Sequence, residues 1–451
     1  MAEIILFDLT RLVVRLRLET PTGIDRVEFA YARYLSERYR DQVRYLMRWR
    51  GSYRVIPTAL VIGYLDSLEH QWGMSQPNDV RRLARQVGQF LGDPRIAKDC
   101  EGSDVKATRR ESRRLWRTRL RMSLVSQRLR LPPRSEGESR IYVNVSHEGL
   151  HATRNMAQWI ERDGLRPVFL LHDLIPVTHP EYVRDGHAAR HANRLATMLK
   201  HGASILTNSA FTATELRRYA AGLGLRTPPV DVALLSAGFT DHAAPAEVDP
   251  GTPYFVVVGT IEPRKNHIFL LHVWRQMAER FGAGIPKLLI IGRRGWENEN
   301  AIDLIERCAA IHDHVLECGS VPDAVLQRLM KGATAVLFPS FVEGYGMPLA
   351  EALMLGVPVI ASDIDVFREI AGDIPEFANP LDGPAWSRLV QDYAQPGSAR
   401  RLAQVERLRA FRAPTWDEHF EVFETALDRV RRTGGAPEAA PDPAPLALAA
   451  E

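Results

Sequence analysis

One pattern constrains this chain more than any other: short apolar segments alternating with helical periodicity, run through twice. In the first half "EIILFDL", "VRYLMRW", "RIYVNVS", "RPVFLLHD" and "ASILTNS" read as strands, and most of the later ones lead into helical patterns. From Pro253 the alternation restarts with "YFVVVG", a helix from about Asn266, "KLLIIG", a helix near Ile302, "HVLECG", a helix at "PDAVLQRLM", and then "ATAVLFPS". Strands that alternate with helices build parallel sheets with helices on their faces. A chain of 451 residues is also too long for one ordinary core. The expected fold class is therefore α/β, with two Rossmann-like, doubly wound domains facing a central cleft.

The expected boundaries follow composition. Residues 1–237 form the N-terminal domain, interrupted by an arginine-rich insertion at about 65–137. The small-residue and proline-rich stretch "LLSAGFTDHAAPAEVDPG" is the hinge, and 238–412 form the C-terminal domain. "APTWDEHFEVFETALDRVRR" supplies a last helix over 413–432, and the Ala/Pro-biased tail 433–451 is expected to be disordered.

Several function classes fall away. No apolar run approaches the roughly 20 residues that span a bilayer, and "MAEIILFDLTRLVV" lacks the pattern of a signal peptide, so a cytoplasmic location is expected. Cys100, Cys308 and Cys318 have no metal-ligand spacing and read as reduced thiols. Net charge is only +3, yet "RRESRRLWRTRLRMSLVSQRLRLPPR", residues 109–134, is arginine-dense, which leaves the remainder net acidic. Such a segment suits a solvated or locally paired helix face, a basic amphipathic helix on anionic lipid, or a nucleic-acid phosphate site. No nucleic-acid motif of defined spacing accompanies it, so nucleic acid is not expected as a partner.

The chemistry gathers at turns after strands, where parallel sheets hold their ligands. "FVEGYGMPLAE" carries Glu343, Gly344, Gly346 and Glu351 between a buried strand and a helix that opens on Pro348. The turn after "YFVVVG" reads "TIEPRKNH", placing Arg264 and Lys265 just ahead of a helix, where free N–H groups and two cations suit a diphosphate. Gly259, Gly292, Gly344 and Gly346 stand at neighbouring strand ends, where backbone can come close to a ligand.

Taken together, "VGTIEPRKNH", "IIGRRGW", "FVEGYGMPLAEAL" and "GVPVIASDIDVFREIAG" closely resemble the C-terminal domain of retaining GT-B glycosyltransferases of the large family numbered four, with Glu343 and Glu351 matching its E-x7-E signature. "TPTGIDRVEFAYARYL", which contains Gly23, resembles that family's first glycine loop and helix. "FLLHDLIPVTHPEY", which contains His172 and Asp173, resembles its His-Asp turn. The resemblance implies that Glu343 contacts hydroxyls of the transferred sugar, Glu351 the ribose, and Arg264 and Lys265 the diphosphate. Gly259, Gly344 and Gly346 would then border the donor, while His172 reaches the reacting sugar from the acceptor side. Gly23 lies on that side too, and Asp173 is a structural partner to its loop. It implies no cofactor and no metal, so Asp363 and Asp365 of "SDID" are not read as metal ligands.

The activity implied is retaining transfer of a hexose from a nucleotide-sugar to a bacterial surface glycan or a polyprenyl-linked saccharide. Guanosine diphosphate mannose is the first expectation for the donor, because the whole motif set resembles bacterial mannosyltransferases of lipopolysaccharide and exopolysaccharide assembly. Uridine diphosphate glucose or galactose is the alternative. A catalytically silent nucleotide-sugar-binding subunit is the alternative from another class, and the arginine-rich segment adds a possible peripheral contact with an anionic membrane.

Overall fold

A computed structural model describes residues 3–15, 21–49, 51–73, 77–92, 115–118, 120–131, 133, 138–238, 251–319 and 321–432. Cys100, the expected tail and most of the expected hinge lie outside them. The chain forms two sheets. The N-terminal one comprises β1 (Glu3–Asp8), β2 (Val43–Trp49), β3 (Ser52–Ile56), β4 (Gln127–Arg128), β5 (Ser139–Asn144), β6 (Arg166–Leu171), β7 (Ser204–Thr207) and β8 (Val230–Val232). Their order is β4-β3-β2-β1-β5-β6-β7-β8. The C-terminal sheet comprises β9 (Tyr254–Val258), β10 (Lys287–Ile291), β11 (Val315–Gly319), β12 (Ala335–Phe338), β13 (Val359–Ser362) and β14 (Glu376–Ala378), in the order β11-β10-β9-β12-β13-β14. Every pairing in it is parallel.

Helices cover both faces of each sheet, so the central strands are buried on both sides; β5 and β6 expose no residue. This is why they read as continuous apolar runs and not as alternating ones. In both sheets the chain winds outward in two directions from one point, β1/β5 in the first and β9/β12 in the second. Loops diverge there, and the crevice that results is the usual ligand site of an open α/β sheet.

Four strands were not foreseen, among them β14 at the edge of the C-terminal sheet. β3 and β4 extend the N-terminal sheet in antiparallel fashion, and β8 closes its far edge. All are short and none is fully buried, so they lack the apolar signature. The insertion also differs from a polar interruption. Its helix Thr58–Gly73 buries Val61, Tyr64, Leu65 and Leu68 in the N-terminal core. Its helix Pro77–Leu91 buries Ala84, Val87 and Leu91 in the C-terminal core instead. In the helical residues 115–118 and 120–125, Leu115 and Met122 face the N-terminal core.

The helix Trp416–Arg432 leaves the C-terminal sheet and packs on the N-terminal one. Phe420, Phe423, Leu427 and Val430 are buried there, each worth about 1.5–3 kcal/mol in apolar transfer. Its polar flank is fixed as well: His419 Nε2 meets the Tyr31 hydroxyl at 2.8 Å, Arg431 forks on Glu3 at 2.7 and 2.8 Å, and Arg429 on Asp231 at 2.6 and 2.8 Å.

Candidate functional site

The switch point between β9 and β12 brings two loops together. After β9 the chain passes Gly259 to a single 3-10 turn, Pro263–Lys265, and Asn266 in the left-handed region (φ 58°) redirects it into the helix His267–Phe281. The Asn266 amide spans to the carbonyls of Pro339 and Pro380 at 3.2 and 3.0 Å. After β12 comes the Glu343 loop, tied to the first by the Phe341 N–H donating to the Arg264 carbonyl at 2.9 Å. Gly346, at φ 98°, turns the loop into the helix Met347–Met354, and a Cβ there would lie 2.6 Å from the Phe367 ring. Only glycine meets both demands.

Arg264, Lys265 and Glu343 therefore converge. The Glu343 carboxylate takes Arg264 Nη1 at 2.5 Å on one oxygen, and Lys265 Nζ at 2.5 Å with the Ser340 hydroxyl at 2.8 Å on the other. Arg264 Nε in turn meets Glu262 at 2.6 Å. Burial alone would push the Glu343 carboxyl up, but the two cations outweigh it and hold the group at about 2. Burial pushes Glu262 up, only partly opposed by Arg264 and Lys265. Gly259 sits against the lysine stem, its ideal Cβ 3.3 Å from Lys265 Cε.

Glu351 has different neighbours. Its Oε1 would lie 2.8 Å from a Cβ at Gly238, whose backbone N–H it accepts. Arg26, from the N-terminal helix Gly23–Arg38, donates to the Gly238 carbonyl at 3.0 Å and grips both oxygens of Asp323 at 2.6 and 2.8 Å. Burial is the main influence on Glu351. It raises the carboxyl to about 7, with Arg26 opposing and Asp323 reinforcing the shift. Two carboxyls eight positions apart are thus pushed in opposite directions, Glu343 down by its two cations and Glu351 up by burial.

The N-terminal domain supplies the facing wall. A Cβ on Gly344 would lie 2.4 Å from the His172 carbonyl and 2.7 Å from Asp173 Cβ, so these loops touch across the cleft. The Gly344 carbonyl accepts from Ser209 at 3.1 Å and Thr212 at 3.3 Å, and Glu369 accepts from the N–H groups of Ala210 and Phe211 at 2.6 and 2.9 Å. Gly23 opens its helix with its ideal Cβ 3.4 Å from Met347. His172 donates its Nε2–H to the Val145 carbonyl at 2.7 Å, which leaves Nδ1 unprotonated. Burial keeps the ring neutral by lowering it to about 4. Asp173 Oδ1 accepts from the Ile175 N–H at 3.1 Å. Asp363 is engaged on the surface by Arg368, at 2.5 and 3.0 Å.

Glu262, Arg26, Asp323, Ser340 and Gly238 were not singled out from the sequence. Glu262 had a signal, since it stands two residues before Arg264 at a strand end. Arg26 and Asp323 had none, because their meeting depends on how the two domains face each other.

Residues 239–374 match the family described as glycosyl transferases group 1. The chain is 31% identical over 264 residues to O-antigen chain mannosyltransferase B of Escherichia coli, a match covering 56% of this chain and 67% of that protein. It is 27% identical over 258 residues to the serotype-specific mannosyltransferase WbdA of Escherichia coli, covering 51% of this chain but only 31% of that longer protein. Among solved structures, HepE of Anabaena in complex with UDP superposes with a TM-score of 0.55 at 13% identity, covering 94% of this chain and 100% of that one. At that identity the likeness speaks for the fold.

Proposed function

This chain belongs to the glycosyl transferases group 1 family and has the GT-B fold, and from that premise we propose that it moves mannose from guanosine diphosphate mannose, with retention and without a metal, to a bacterial surface glycan or its lipid-linked precursor. The observation that carries this reading is the Arg264–Lys265–Glu343 cluster at the sheet's switch point. A leaving nucleoside diphosphate gathers negative charge, and fixed cations aimed at it lower the barrier. Glu343, held ionised between them, is positioned to accept hydroxyls of the sugar, and Glu351 those of the ribose. Neutral His172 faces them from the acceptor side. Mannose is preferred because the two Escherichia coli relatives are named mannosyltransferases.

Incubation with a panel of radiolabelled sugar nucleotides, scoring nucleoside diphosphate release, tests the reading. Release of guanosine diphosphate that persists in excess EDTA is expected. Release of uridine diphosphate alone would move the donor to a uridine diphosphate sugar, and no release from any donor would favour a silent binding subunit.

Glu351 gives the activity a pH dependence. As an anion it accepts from both ribose hydroxyls, whereas the acid can accept less. With its carboxyl raised to about 7, kcat/KM for the donor should climb as pH passes through 7, and the profile should flatten in Glu351→Gln. The stability effect has the opposite sign. Because the folded value lies above the unfolded one, the contribution of this group is full below about 4.5 and is lost as pH rises through about 7. Melting curves of wild type and Glu351→Gln should therefore converge on the acid side of that window. A donor profile unchanged by the substitution would remove Glu351 from the ribose.

We also assign the arginine-rich segment a contact with anionic lipid. Trp116, Leu120 and Leu124 are 63%, 43% and 73% exposed; Leu120 and Leu124, four apart in the helical residues 120–125, share one face, and Arg117 and Arg121 are exposed beside these apolar side chains. Leu115, in the same segment, faces the core instead. No helix among the described residues is long and apolar enough to cross a membrane. Each arginine near an anionic surface contributes about 1 kcal/mol, so the protein should sediment with anionic vesicles at low salt and leave them as salt rises. Failure to bind, or equal binding by a Trp116→Ser/Leu124→Ser variant, would exclude this contact.

A further inference from the structure

We infer a second anion site, separate from the donor cluster, which takes a phosphate or diphosphate group carried by the acceptor. It rests on the transferase reading above and adds to it the chemical class of the acceptor. A cavity of about 230 Å³ lies on the rim of the N-terminal sheet, enclosed by the end of β2, the start of β3, the residues around β4, the turn at Gly149 and the helix Thr153–Asp163. It shares no residue with the donor cluster. Arg48, Arg128 and Arg162 line it, and among the described residues that line it there is no carboxylate. Arg162 is engaged by Asp163 at 2.8 and 3.0 Å. Among the described residues, Arg48 and Arg128 have no ion-pair partner.

Guanidiniums gathered around so small a volume repel one another unless an anion lies between them, and their planar forks suit phosphate oxygens. Asn155 and Gln158 add amide donors. One wall is aromatic: Trp159 stacks on Tyr53 at 4.3 Å between ring centroids, a surface suited to a sugar face next to the anion. Gly149 preserves the space. At φ 79°, a Cβ there would approach Arg48 Nη1 to 2.9 Å.

The location connects the cavity to the reaction. The segment that carries Gly149 follows β5 at the N-terminal switch point, and the carbonyl of Val145 in the same segment receives the His172 hydrogen bond. His172 and the cavity therefore border the same loop. Arg128, in turn, follows the exposed Leu124 and Val125 after only two residues. A saccharide whose phosphate sits in the cavity could extend its sugar towards His172 and a lipid tail along the apolar stripe.

Equilibrium dialysis with radiolabelled inorganic pyrophosphate tests this. Wild type should bind two equivalents. Arg264→Ala should lose the donor-site equivalent, Arg48→Ala/Arg128→Ala the other with affinity at least tenfold weaker, and Arg48→Lys/Arg128→Lys should recover part of it, which controls for folding. Two full equivalents in the double alanine variant would overturn the site. Two full equivalents in Arg264→Ala would instead overturn the donor assignment and leave this one standing. Phosphatidylcholine vesicles with and without a few per cent polyprenyl pyrophosphate separate the sources of the anion. Retention that needs the lipid pyrophosphate and both arginines supports a membrane-borne acceptor. Soluble binding without retention supports a free phosphorylated saccharide, and neither result would refute the proposal.

Discussion

Replacing Glu343 by glutamine is expected to lower kcat by about a thousandfold or more, the scale seen when one preorganised electrostatic contact to a transition state is removed. Glutamine keeps the shape and can still meet Ser340, but it cannot neutralise Arg264 and Lys265. The variant should also melt earlier, because removing one partner of a buried ion pair strands the other at a cost of about 3–5 kcal/mol. Here Glu262 still holds Arg264, so the lower end of that range is expected. A nucleoside diphosphate should restore part of the lost melting temperature by supplying the missing anion. Steady-state kinetics and thermal shift together check this: an unchanged kcat removes Glu343 from the reacting sugar, and loss of kcat without any stability change contradicts its pairing with the two cations.

Arg264→Ala and Lys265→Ala should each weaken nucleoside diphosphate about ten- to hundredfold while hardly changing affinity for the nucleoside, since a charge-assisted hydrogen bond is worth about 1.5–3 kcal/mol. The arginine should matter more. It stands between Glu262 and Glu343, and without it two buried carboxylates share one lysine, which raises both their pKa values and further disfavours an incoming anion. Calorimetry with both ligands decides: equal losses for nucleoside and nucleoside diphosphate would place the cations elsewhere than on the phosphates.

The alternating architecture was legible because strands buried on both faces leave uninterrupted apolar runs. β9 and β12 could hardly be read otherwise, whereas β3, β4, β8 and β14, short and partly or wholly exposed, left no comparable trace. The helix Pro77–Leu91 was hidden by its own composition: Ala84, Val87 and Leu91 are spaced as a buried stripe, but the arginines around them dominate the segment. At the site, the positions of Arg264 and Glu343 at strand ends could be seen, while their contact could not. That contact follows from β9 lying beside β12, a strand order that the linear sequence does not encode locally. Glu351's proximity to Arg26 is further removed still, because it depends on one domain docking on the other.

The return of the helix Trp416–Arg432 to the N-terminal sheet has a mechanical consequence. The chain passes between the lobes after Gly238 and again through the non-helical Phe411–Thr415, and the helix Pro77–Leu91, seated in the C-terminal core between stretches that belong to the N-terminal one, adds a departure and a return of its own. Straps at several places hold the lobes to one another, so they do not tumble on a single tether. Parting the lobes at the cleft would take Glu369 from the amides of Ala210 and Phe211, and Gly344 from Ser209 and Thr212. Each latch is a polar group that water can solvate once it is released, but Phe211 packed on the C-terminal core and Tyr345 buried in the N-terminal one lie beside these latches and would lose apolar cover in the same movement, so the closed arrangement is favoured.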